Sequence, residues 1–173
     1  MLTVGREDFA VDCRPSGVGV RVHTTVAVLG QASDLHIEME LDAMLRPKRV
    51  TVSGTSGGEK VADTLTFGGH TAVLRRNGQT RTIAAAPEAS FVGLNFHLGV
   101  WLAIGRYDLA RGGKQIVPVF PDQALSMEPL PGAPRAYRVT CRAIGCWKRE
   151  GSGRRVMTRL ELGPARFLAF CSG

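Results

Sequence analysis

Between Asp34 and Asp42 the side chains alternate without a break. Leu35, Ile37, Met39 and Leu41 fall on one parity; His36, Glu38, Glu40 and Asp42 fall on the other. An extended chain sends successive side chains to opposite faces, so this segment has one apolar and one charged face only as a strand. A helix would scatter the same residues around its surface. The segment therefore predicts a half-buried strand, and its apolar face requires a sheet with a core behind it.

The flanking sequence extends that sheet. Residues 17–29 are rich in β-branched side chains, with Val18, Val20 and Val22 on one face and Gly19, Arg21 and His23 on the other. Residues 2–11, 49–53, 61–67, 71–75 and 80–84 read as further short strands. Gly57-Gly58 marks a turn. Asn77-Gly78 supplies the two positive-φ positions of a type I′ hairpin. The texture then changes. In residues 91–104, Phe91, Leu94, Leu98, Trp101 and Leu102 recur at spacings of three and four, which predicts a helix with Ser90 as N-cap and Gly105 at its end. It is apolar nearly all round and is expected to be buried. Residues 107–109, 115–120, 124–128 and 166–171 read as extended segments, and 136–147 with 154–162 as a hairpin. Successive strands with short turns favour an antiparallel meander. The fold class expected is mainly β: a curved antiparallel sheet or open barrel of about ten strands, which must curl at that size, with one buried helix near 90–104, in a single barrel-like domain over residues 1–173.

That order of elements, strands then the apolar stretch 91–104 then strands, resembles the curved half-barrel of bacterial lipoprotein carriers. It is also similar to small enzymes and lipid-binding modules in which a long antiparallel sheet wraps a helix. The resemblance implies a hydrophobic pocket between sheet and helix. Carriers of that kind work in the periplasm, whereas residues 1–8 lack the basic head and apolar stretch of a leader.

The chain has 173 residues, 44% of them apolar, enough for one domain with a real core. No apolar run approaches the ~20 residues that span a bilayer. Cys13, Cys141, Cys146 and Cys171 form no C-x-x-C pair and read as free thiols in a reducing cytoplasm. The net charge of +7 arises in the C-terminal part. Within 135–159, Arg135, Arg138, Arg142, Lys148, Arg149, Arg154, Arg155 and Arg159 face Glu150 as the single acid. Such a basic hairpin tip can meet a polyanion or a partner protein. Aromatics make up only 6%, and Trp147 alone adjoins the cluster, which argues against nucleic acid.

No phosphate loop, dinucleotide fingerprint or H-E-x-x-H motif occurs, and no cofactor or metal is expected. Gly54-Thr55-Ser56-Gly57-Gly58 fits G-x-S-x-G in form, but strand follows it where a nucleophile elbow needs a helix. His36, Glu38 and Glu40 share a strand face that most simply meets water. His97 lies four residues from Trp101 on the expected helix, the spacing that places both on one face. A histidine in an apolar pocket can move protons. His97 and Tyr107 are thus the candidate catalytic residues. Phe91, Phe96 and Trp101 would shape the pocket, and Arg142 or Arg159 would steady negative charge on a ligand. The expectation is a small-molecule pocket protein, a cofactor-independent isomerase or cyclase for an apolar or polyketide-like substrate. The alternatives are a non-catalytic carrier of lipid-like ligands and an accessory domain that binds through its basic hairpin.

Overall fold

A computed structural model describes residues 4–28, 31–92, 97–121, 123–129, 136–142 and 158–161. In 136–142 and 158–161, and at Val4, Val28, His97, Trp101 and Gln123, it describes the backbone alone. The fold is mainly β. Strands β1 (Val4–Arg14), β2 (Gly17–Val28), β3 (Gln31–Leu41), β4 (Pro47–Ser56), β5 (Glu59–Gly68), β6 (Thr71–Arg76) and β7 (Gln79–Ala84) form a seven-stranded antiparallel meander in sequence order. The hairpin signals hold: Asn77 and Gly78 take φ of 50° and 77°, and Gly57 and Gly58 take 60° and 84°. Ser56 sits at the tight β4–β5 turn, its hydroxyl 3.0 Å from that of Ser33, so the G-x-S-x-G match is a hairpin, as its context implied.

Register turns the alternation of β3 into a core. Val11, Val20, Met39, Val50, Leu65 and Leu74 stand opposite one another in one row across six strands. Val20, Met39 and Val50 in that row are all but sealed from solvent. His36, Glu38 and Glu40 lie exposed on the other face, as expected. The inner face also holds the carboxylate of Asp63. It is buried and accepts from the guanidinium of Arg76, its cross-strand partner, with Nε 2.8 Å from Oδ1. The hydrogen bond to Asp63 raises Arg76 above the ordinary arginine value. At the β3–β4 turn, Asp42 accepts from the backbone N–H groups of Met44 and Arg46 and from the Arg46 guanidinium. Burial alone would raise its carboxyl, but these donors outweigh burial and hold it below the usual range.

A second sheet, ordered β12-β11-β10-β9-β8, is built from β8 (Ser90–Phe91), β9 (Gln115–Phe120), β10 (Gln123–Pro129), β11 (Ala136–Arg142) and β12 (Thr158–Glu161). The expected single curved sheet is therefore two sheets and not a closed barrel. β11 and β12 do pair antiparallel, with Ala136 opposite Glu161. Residues 143–157 and 162–173, including Trp147 and the basic tip, lie outside the described residues.

The helix differs from expectation. Helix α1 spans His97–Ile104, eight residues, and Phe91 stands on β8 instead. β8 runs parallel to β9, so the segment between them is a crossover, which a parallel pair requires. Ser90 is no N-cap. Its hydroxyl is buried and accepts from Arg106 at 3.2 Å. The first turn is capped from afar: Glu7 on β1 accepts the Leu98 N–H at 2.8 Å, placing a carboxylate at the positive end of the helix. Leu98 and Leu102 join the core of the large sheet, while Ala103 and Ile104 join Val117, Val119, Leu125 and Met127 in the core of the small one. A helix clamped between two sheets needs no polar stripe, which explains its all-apolar sequence. Residues 107–109 belong to no strand, and a turn begins at Leu109.

Cys13 is disulfide-bonded, to a partner outside the described side chains. The expectation of free thiols is corrected at this residue.

Candidate functional site

The two sheets meet along a cleft. On one side are Ala84, Ala85, Ala86 and Ala89, which leave the end of β7, with His70 from the β5–β6 turn. On the other are Pro118, Val119 and Pro121 at the end of β9. Ladder contact continues past β7 through the Ala85 N–H to the His70 carbonyl at 2.9 Å, which carries the alanines into the junction. Small side chains here leave space between the sheets, and the cavity measures about 360 Å³. That lies within the range of small-molecule sites, roughly 300–1,000 Å³. The Phe67 and Phe120 rings meet edge to face at 5.2 Å and join the two sheets. His70 is the one titratable side chain among the described residues that line the cleft.

Arg106 closes the adjoining segment. It is half-buried and donates to the Glu88 carbonyl and to Ser90. Burial lowers it from the ordinary arginine value, with the nearby Glu88 carboxylate opposing that shift. The guanidinium thus ties residues 88–90 to the end of α1.

A larger hollow, about 480 Å³, lies on the outer face of the seven-stranded sheet. It forms where Gly19 interrupts the row Asp12–Gly19–Glu40–Arg49 and leaves no side chain to fill it. Arg14, Arg21 and Glu38 ring it with charges of both signs. These groups are exposed and hydrated, so the hollow offers an apolar ligand nothing.

Of the expected site residues, Phe91 and Tyr107 have described side chains. Tyr107 is buried in the core of the small sheet, and its hydroxyl donates to the Gly113 carbonyl at 2.7 Å. Phe91 is half-buried against the core of the large sheet. His97 and Trp101 have their backbones in α1, but their side chains are outside the described set, as is all of Phe96. Arg142 stands opposite Ala124 and Arg159 opposite Arg138 in the small sheet; their side chains also lie outside it.

The chain matches no family model, no curated protein and no solved structure.

Sequence reasoning did not point to the cleft, because alanine and proline carry no chemical signature. The clue available was the run Ala84-Ala85-Ala86-Pro87, small residues at the end of a strand where a sheet normally carries bulk. No helix of the described residues is long and apolar enough to cross a membrane.

Proposed function

We propose that the protein binds an apolar small molecule in the cleft between its two sheets and acts as a non-catalytic carrier. The observation that carries this reading is the lining: four alanines, two prolines and a valine, with His70 alone able to titrate. An enzyme of the isomerase or cyclase kind needs several placed donors and a titratable group of shifted pKa. Tyr107, one residue suited to that work, already spends its hydroxyl on Gly113. The disulfide at Cys13 fits an oxidising compartment better than the cytoplasm, and outside the cytoplasm a shuttle for lipid-like ligands has work to do.

Native mass spectrometry tests this reading, with a denatured control and a solvent extract of the same sample. The expected result is an apolar compound that adds mass to the native protein, is lost on denaturation and appears in the extract. Protein that stays at its bare mass after incubation with a total lipid extract would contradict it.

A further inference from the structure

The outer face of the seven-stranded sheet holds a cluster unrelated to the cleft. His23 on β2 and His36 on β3 are direct cross-strand partners, and Asp34 lies two residues before His36 on the same face. The two imidazoles stack, with centroids 4.3 Å apart and planes 7° from parallel. His23 Nε2 lies 2.8 Å from Asp34 Oδ1. Ligand atoms of the three side chains all fall within 4.8 Å of one another. We infer that His23, His36 and Asp34 form a binding site for a divalent transition-metal ion, of which Zn²⁺ is the representative.

The chemistry of the donor set supports this choice. Two neutral imidazoles and one carboxylate suit zinc and its neighbours, whereas Mg²⁺ and Ca²⁺ require mostly oxygen. Tetrahedral zinc, with bonds near 2.0–2.1 Å, brings its donors to roughly 3.3 Å from one another. The cluster reaches that spacing by side-chain rotation alone, since all three lie on the solvent side of the sheet. The backbone needs no change, because β2 and β3 are interior strands of the sheet and hold both Cα positions. On binding, the metal takes the place of the hydrogen between His23 Nε2 and Asp34. The His23 proton then resides on Nδ1, so the imidazole stays neutral. Three protein ligands leave one position for water. Asp8, opposite His23 on β1, is held by Arg6 at 2.7 Å and stays outside the donor set.

Calorimetric titration of the untagged full chain with ZnCl₂ near neutral pH tests the inference. The expected result is one saturable site per chain, weakened at least tenfold in His36→Ala and in His23→Ala, and unchanged in His70→Ala. MgCl₂ is expected to give no heat of binding. His36 is exposed, so its replacement leaves the core intact, and circular dichroism verifies that each variant is folded. No saturable zinc binding, or equal affinity in folded His36→Ala, would overturn the assignment.

Discussion

Gly54→Ala is expected to cost about 3 kcal/mol of folding stability. Gly54 lies on β4 opposite Leu35 with φ at +133°, a conformation that side-chain-bearing residues rarely adopt. A Cβ there would come 2.1 Å from the Asp34 carbonyl oxygen and 3.1 Å from the Leu35 Cα. Both are backbone atoms of β3, so neither can swing aside as a flexible side chain would. The sheet must part locally or the residue must leave its conformation, and either breaks ladder bonds in the middle of the meander. Gly68→Ala is the matched control, with nothing within 4 Å of the added carbon. It is expected to change stability by less than about 1 kcal/mol. Urea unfolding of the three proteins measures both effects. A Gly54→Ala protein as stable as the parent would mean that β3 and β4 do not pair in this register.

Met39→Ala is the second large effect, expected at about 2–5 kcal/mol. Met39 is 2% exposed and sits between Val20 and Val50 in the row that crosses the sheet. Truncation removes apolar contact on both sides and leaves a gap that the flanking strands, fixed by their hydrogen bonds, close only in part. Its chain neighbours Glu38 and Glu40 face solvent. Glu38→Ala and Glu40→Ala are expected to stay within about 0.5 kcal/mol of the parent. The comparison by the same unfolding experiment is a direct test of which face of β3 is buried. Equal losses at positions 38 and 39 would contradict the assignment.

That face was legible in the sequence because alternation is a local property. A strand that buries one side must show it residue by residue, and β3 does. The turns at Gly57-Gly58 and Asn77-Gly78 were legible for a similar reason, since positive φ selects its residues locally. The helix was only half legible. Spacings of three and four do not distinguish α1 from the short strand that carries Phe91, because a buried crossover is apolar throughout. Its cap was not legible at all: Glu7 lies 91 residues from Leu98, and only tertiary structure brings them together. The division into two sheets was hidden likewise, because the parallel pairing of β8 with β9 depends on a long connection and not on a turn motif.

The candidate sites show the same contrast. Asp34 and His36 are visible as one row on β3, but the metal cluster needs His23 as well. Its place opposite His36 follows from hairpin register: Val28 pairs with Gln31, and counting back five residues on each strand brings the two histidines together. The step from Val28 to Gln31 is short, and Gly30 lies within it, so a register count around that break would have found the pair. The cleft had no such route, since its walls come from both sheets and its residues are remarkable only for being small.

The most direct test of the carrier reading is fluorescence titration with the apolar probe N-phenyl-1-naphthylamine, comparing the parent protein with Ala86→Trp. Ala86 is exposed and lines the cleft, so an indole there occupies the space without disturbing the core. The account predicts saturable binding of one probe per chain and at least a tenfold loss of affinity in Ala86→Trp. No saturable binding by the parent, or equal binding by a folded variant, would contradict it.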